Sequence, residues 1–216
     1  MDLTEAIQPD LILGGEAEVK KKKVKKFTNQ QKKYKPGSHT DPVTTLSLNH
    51  SNLSVLASGS IDSTVKIWDL SKETCVHTAT HHSAALKKVN WSSQDVSVIF
   101  TAADDGRIAV LDSRFPDDQI FHKIAEGEEI ESACWNVNNQ SQIVYTTSSG
   151  YLNIFDVRKN NTLLASQKAH LSKVNDVKVS PKNLCFTCSE DQHVRVWDLN
   201  NLSEPLTSKN PKCVPI

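Results

Sequence analysis

The chain alternates apolar and polar residues in short runs of five or six, each closed by a cluster of turn-forming residues. The clearest stretch runs Val43 to Leu48, Val55 to Ser58, Thr64 to Trp68 and Cys75 to Ala79, four candidate strands within 37 residues. A period of two over so few residues predicts half-buried β-strands rather than helices. Two markers then repeat along the chain. An apolar residue followed by Asp occurs as Trp68-Asp69, Leu111-Asp112, Phe155-Asp156 and Trp197-Asp198, and the apolar start of a strand falls at Val43, Leu86, Ile130 and Val174. The two markers keep one spacing, 42 to 44 residues, so four units of the same design follow one another. Such a unit cannot bury its apolar face alone and must stack on its neighbours.

Units of this length with four strands resemble the WD-repeat family, and the expected fold is an all-β propeller with four visible blades. The expected units are blades at 38–81, 82–125 and 126–169, then 170–216 holding a fourth blade and the start of the next. Rings of this family most often close with seven blades. The expectation is therefore an interior part of a longer ring, with residues 1–19 a remnant of a preceding blade; a true four-bladed or partner-completed ring is the alternative. Met1-Asp2-Leu3 reads as the tail of a Trp-Asp-Leu motif and Leu11-Ile12-Leu13 as the outer strand after it. The resemblance also implies a hydrogen-bonded tetrad in each complete blade. Here it would consist of His39, Ser60, Asp62 and Trp68 in the first unit and His170, Ser189, Asp191 and Trp197 in the fourth. The second unit keeps His82 and Asp105 but has Ala103 and Leu111. The third keeps Thr147 but has Ser149, Phe155 and Glu126. These two blades are expected to rely on apolar packing.

Charge changes the picture at one place. The formal net charge is zero, yet residues 1–19 carry five acids and no base, and residues 20–35 carry nine lysines and no acid. The run Lys20, Lys21, Lys22, Lys23, Lys25 and Lys26, inside a loop at 20–37, buries nothing and repels itself. Clustered lysines suit the acidic groove of an import receptor or, by counterion release, RNA phosphates. A plain solvated loop is the alternative.

Other motifs are weaker. Asp112-Ser113-Arg114 and Asp156-Val157-Arg158 resemble the paired box by which WD-repeat substrate receptors dock on cullin–RING ubiquitin ligases, with Arg114 and Arg158 as the docking groups. Either arginine could equally pair with an acid in its own blade. Cys185-Phe186-Thr187-Cys188 lacks two further ligands at zinc spacing, so buried structural cysteine is expected and no metal site. The acidic run Glu126 to Glu131 reads as a solvated loop. No phosphate loop, His-Glu-x-x-His or nucleophile elbow is present, so neither an enzyme, a cofactor nor a small-molecule substrate is expected. No apolar run approaches a membrane span, and five cysteines without an export signal suit a reducing compartment.

The order of features narrows the resemblance. A Trp-Asp-like end, the lysine block, Gly37-Ser38-His39-Thr40-Asp41-Pro42-Val43, then Asn90-Trp91 and Cys134-Trp135-Asn136 together are similar to WD-repeat proteins of eukaryotic ribosome assembly. That similarity implies a nuclear and nucleolar scaffold for large-subunit assembly and rRNA processing, with ribosome-assembly proteins, pre-ribosomal RNA and an import receptor as partners. A ubiquitin-ligase substrate receptor and a chromatin- or histone-binding protein are the alternatives.

Overall fold

The computed structural model describes residues 9, 11–15, 34–114, 119–123, 128–159 and 163–209. Four antiparallel sheets follow one another, each a four-stranded meander in chain order. The first contains β1 (Val43–Leu48), β2 (Val55–Ser60), β3 (Val65–Asp69) and β4 (Thr74–Ala79). The second contains β5 (Leu86–Trp91), β6 (Val98–Ala103), β7 (Arg107–Asp112) and β8 (Gln119–Lys123). The third contains β9 (Ile130–Trp135), β10 (Gln142–Thr147), β11 (Tyr151–Asp156) and β12 (Leu163–Lys168). The fourth contains β13 (Val174–Val179), β14 (Leu184–Ser189), β15 (Val194–Asp198) and β16 (Thr207–Lys209). Among the described residues there is no helix, hence none long and apolar enough to cross a membrane.

Leu11, Ile12 and Leu13 do not form the expected outer strand; they lie in irregular chain, with Ile12 exposed. The segment is instead anchored by Gly15, whose carbonyl accepts from Lys35 N–H at 2.9 Å and from Ser38 Oγ at 3.3 Å.

First strands of successive sheets lie side by side, β1 on β5, β5 on β9 and β9 on β13, as the inner strands of propeller blades do. Side-chain oxygens stitch them together. Thr45 Oγ1 accepts from Val89 N at 3.2 Å, and Ser47 Oγ accepts from Trp91 N at 3.0 Å. The cores sit between blades rather than inside them. Ala57, Val65, Ile67 and Ala79 of blade one pack with Leu86, Val89, Trp91, Ile99 and Leu111 of blade two. Blades two and three, then three and four, share two further clusters of the same construction. A blade therefore gains its burial from its neighbours, as expected for a two-faced sheet of short strands. Gly59 allows the close approach: a Cβ there would lie 2.8–2.9 Å from Thr45, Leu86 and Val89.

The register slips at one equivalent place in every blade. Residues Thr44, Lys87, Glu131 and Asn175 are each skipped in the pairing of the first and second strands. A bulge re-aims the side chain it carries, and here it repeats with the blades.

Candidate functional site

The rim formed by the turns between second and third strands collects the chain's buried polar chemistry. In blade one, Trp68 Nε1 donates to Ser58 Oγ at 2.8 Å, and Ser58 Oγ lies 2.8 Å from His39 Nε2. His39 Nδ1 lies 2.9 Å from Asp62 Oδ2. Burial lowers the His39 pKa against the pull of Asp62, so the ring is neutral at pH 7. A neutral ring facing a carboxylate at Nδ1 carries its proton there, so Nε2 accepts from the Ser58 hydroxyl. Asp62 also accepts from Thr40 N, Thr64 N and Thr64 Oγ1. Burial alone would raise its pKa, but these hydrogen bonds outweigh it and bring the carboxyl to about 2. One carboxylate thus fixes its own turn, the incoming loop and the histidine.

Blade four repeats the arrangement with Trp197, Thr187, His170 and Asp191: 3.0 Å from indole to hydroxyl, 2.8 Å from hydroxyl to Nε2, and 3.0 Å from Nδ1 to carboxylate. The expected hydroxyls were Ser60 and Ser189, and this is a correction. Ser60 Oγ donates to Asp41 O and accepts from Asp62 N, and Ser189 Oγ makes the equivalent bonds to Ser172 O and Asp191 N. Register explains the difference. Trp68 pairs with Leu56 and Trp197 with Cys185, so the diagonal neighbours on the same face are Ser58 and Thr187. Ser60 and Ser189 lie two residues further along, about 7 Å beyond.

The same diagonal position in blade two is Thr101, which corrects the expectation that this blade lacks the network. His82 Nε2 lies 2.8 Å from Thr101 Oγ1 and His82 Nδ1 3.0 Å from Asp105 Oδ2. Leu111 cannot supply an indole, yet the hydroxyl has a second nitrogen partner, His81 Nε2 at 2.9 Å. In blade three the position is Tyr145, packed with Trp135, Ile143 and Phe155. Burial pushes the Tyr145 hydroxyl pKa upward. Glu126, at the histidine position of this blade, lies outside the described residues.

The bulge residues add an ionic chain across three blades. Lys87 Nζ lies 3.2 Å from Asp104 and 3.4 Å from Glu131, whose same oxygen is 2.9 Å from Lys173 Nζ. Burial opposes the Lys87 charge, but Asp104 and Glu131 outweigh it and hold the ammonium above its usual pKa. Glu131 was expected in a solvated loop; it is on β9 with its side chain 4% exposed.

The strand-three aspartates have a common task. Asp69, Asp112, Asp156 and Asp198 each accept, through Oδ1, the main-chain N–H two residues on, at 2.9–3.0 Å. Such an Asx turn explains why Asp recurs where Trp does not. Arg114 Nε donates to Asp112 Oδ1 at 2.9 Å and Oδ2 at 3.1 Å, so its fork closes on its own blade. Arg158 is exposed, and its main-chain N–H is held by Asp156. Cys185 is fully buried while Cys188 is half-buried. Among the described residues no group of three or more His, Cys, Asp or Glu could hold a metal ion. Lys20, Lys21, Lys22, Lys23, Lys25 and Lys26 lie outside the described residues.

Sequence comparison agrees with the blades. The family pattern "WD domain, G-beta repeat" matches residues 30–69 and 161–198, so the chain carries WD40 repeats. Periodic tryptophan protein 1 of Saccharomyces cerevisiae is 28% identical over 227 residues, covering 99% of this chain and 39% of that protein. The periodic tryptophan protein 1 homolog of Drosophila melanogaster is 28% identical over 205 residues, covering 93% of this chain and 42% of that protein. The GATOR2 complex protein MIOS of Dictyostelium discoideum is 30% identical over 164 residues, covering 72% of this chain and 15% of that protein. The chain spans about two-fifths of the length of the two periodic tryptophan proteins.

Proposed function

We propose that this chain, whose WD40 repeats build four propeller blades, serves as a non-enzymatic scaffold in the assembly of the large ribosomal subunit and the processing of its RNA, in the nucleus and nucleolus. The observation that supports this most is the similarity to two periodic tryptophan proteins over 93–99% of the chain. The aligned stretch includes the lysine block and the strand-one tryptophans.

The physical reading is a division of labour. Blades locked by buried His–hydroxyl–Asp networks present loops rigidly, which suits holding several assembly proteins in fixed relation. Lys20 to Lys26 add a dense positive charge for an import receptor and for pre-ribosomal RNA. Docking on a ubiquitin-ligase adaptor gains nothing from the geometry of Arg114, which is engaged by Asp112.

The test replaces Lys20, Lys21, Lys22, Lys23, Lys25 and Lys26 by Gln in the tagged chain. The unsubstituted chain is expected to sediment with RNase-sensitive pre-ribosomal particles and to accumulate in nucleoli. The substituted chain should lose most nucleolar signal and enter the particles poorly. Sedimentation of the unsubstituted chain away from pre-ribosomes, or unchanged behaviour of the variant in both assays, rejects the reading.

A further inference from the structure

Between blades three and four, at the end of the sheets away from the His–Asp turns, lies a groove of about 610 Å³. Ile154, Leu164 and Leu199 give it an apolar floor, and carboxamides make up its polar lining. One of them, Gln142, is out of pattern. The first residue of the second strand pairs with the strand-three aspartate in every blade, and in the other three it is Val55, Val98 and Leu184. A glutamine there gives up apolar burial, and its neighbours hold it in one orientation. Gln142 Oε1 accepts from Asn136 Nδ2 at 2.8 Å, and Asn136 Oδ1 accepts from Asn138 N at 3.0 Å, so neither amide can be turned round. The hydrogens of Gln142 Nε2 are left for the groove. Among the described residues they have no acceptor, and the half-buried side chain keeps this nitrogen open to water. The groove also holds an open acceptor. Asn138 commits both Nδ2 hydrogens, to Ser180 O at 3.1 Å and Asn183 Oδ1 at 3.2 Å, while its Oδ1 has no donor among the described residues.

An open donor and an open acceptor above an aliphatic floor select one chemistry. None of the described residues lining the groove is charged or aromatic. A phosphate backbone would meet no lysine or arginine, and a nucleobase no ring or guanidinium on which to stack. A carboxylate would enter without a counter-charge, and a sugar would set hydroxyls against isoleucine and leucine. An extended peptide fits throughout, because its carbonyls and N–H groups alternate and its side chains turn to opposite faces. Leu164, 38% exposed, leaves the apolar floor open to such a side chain. The volume lies within the usual range of ligand sites.

We propose that this groove binds an extended, uncharged peptide segment of a partner protein. A main-chain carbonyl of the segment accepts from Gln142 Nε2, a neighbouring main-chain N–H donates to Asn138 Oδ1, and an aliphatic side chain lies on Ile154, Leu164 and Leu199. Peptide capture here is independent of the ribosome-assembly reading, and its failure leaves that reading intact.

The experiment follows the side-chain amide signals of the ¹⁵N-labelled chain by NMR while the capped peptide acetyl-Ser-Leu-Ser-Leu-Ser-amide is added. The expected result is a saturable shift of the Gln142 pair, with the Asn49 pair in the corresponding turn of blade one unmoved. Gln142→Glu keeps the oxygen that Asn136 uses and replaces the open donor by an acceptor, so it should abolish saturation. Leu164→Ser, at an exposed position, should weaken binding about fivefold, from part of a leucine's burial. Unmoved Asn49 signals report the fold of each variant, and Leu164→Ser carries the test if Gln142→Glu does not fold. Three results overturn the proposal: no saturable shift; binding unchanged by Gln142→Glu or by Leu164→Ser; or tighter binding of acetyl-Ser-Asp-Ser-Asp-Ser-amide, N-acetylglucosamine or hexauridylate.

Discussion

His81 Nε2 lies 2.9 Å from Thr101 Oγ1, occupying in blade two the place that a tryptophan N–H takes in blades one and four. The neighbouring His82 faces Asp105 through Nδ1, so its Nε2 accepts the Thr101 proton and His81 must donate. Two imidazoles, 4.5 Å apart between ring centres, thus share one hydroxyl. The network survives the loss of tryptophan at Leu111 because a different residue, from the loop rather than the strand, supplies the donor.

Thr101→Val removes that hydroxyl at a position of 0% exposure and strands nitrogens of both histidines. It should cost about 2 kcal/mol in urea unfolding, whereas Ser83→Ala, on the exposed loop beside them, should cost under about 0.5 kcal/mol. Equal, small effects would show that the shared hydroxyl contributes nothing.

Trp68→Ala empties a site only 4% exposed and removes one of the two partners of Ser58 Oγ. About 3–5 kcal/mol is expected from thermal or denaturant melting. Ser58→Ala keeps the volume and breaks the link to His39, for about 1–3 kcal/mol. A loss below 1 kcal/mol for Trp68→Ala contradicts its place in the core.

Stability should fall as pH drops below about 6.5. Burial lowers the folded pKa of His39, His82 and His170, and that of His81 to about 4, with His82 adding to the effect at His81. The unfolded chain then takes up protons near 6.5 that the folded chain refuses, so stability is lost on acidification from there toward the folded values. Asp62 and Asp191, with folded values of about 2, keep their contribution above 3.8 and lose it only as pH falls toward 2. Urea midpoints between pH 7.5 and 4.5 should slope downward with acid, and His81→Phe should flatten part of that slope. A midpoint independent of pH contradicts the burial of these rings.

Glu131→Gln removes the carboxylate that joins Lys87 of blade two to Lys173 of blade four. The lysines retain some solvent, which moderates the penalty to about 1–3 kcal/mol. A double-mutant cycle with Lys87→Met should show coupling; strict additivity would mean that the chain of charges does not act across blades.

Thiol labelling should divide the cysteines. Burial pushes the Cys134 thiol up to about 12 and the Cys185 thiol upward as well, whereas Cys75 and Cys188 are half-buried. Peptide-level mass spectrometry after brief alkylation of the folded chain should find, among the four described cysteines, Cys75 and Cys188 modified before Cys134 and Cys185. Comparable rates at all four would contradict the buried placement.

The repeat was legible in the sequence because period-two alternation and turn chemistry act locally. β1, for example, has the bounds Val43–Leu48 that the alternation marks, and the strand-three aspartates cap turns two residues away. The histidines and turn aspartates were legible too, because they recur with the blades. Their hydroxyl partner was misplaced at Ser60 and Ser189, since cross-strand register decides which of two same-face residues lies diagonal to the tryptophan. Thr101 was overlooked for the same reason. His81 carried no signal beyond its adjacency to His82, and Glu131 looked like loop because its burial depends on lysines 44 and 42 residues away.

The sequence by itself determined four blades of similar length, their turns, and the segregation of lysine into one block, because each follows from interactions within a few residues. The tertiary structure alone decided which hydroxyls complete the networks, that charges bridge three blades, and that Trp135 donates to the carbonyl of Asn90 in the preceding blade. Those outcomes depend on strand register and on how one blade seats against the next, and a difference of a few ångströms makes or breaks a hydrogen bond.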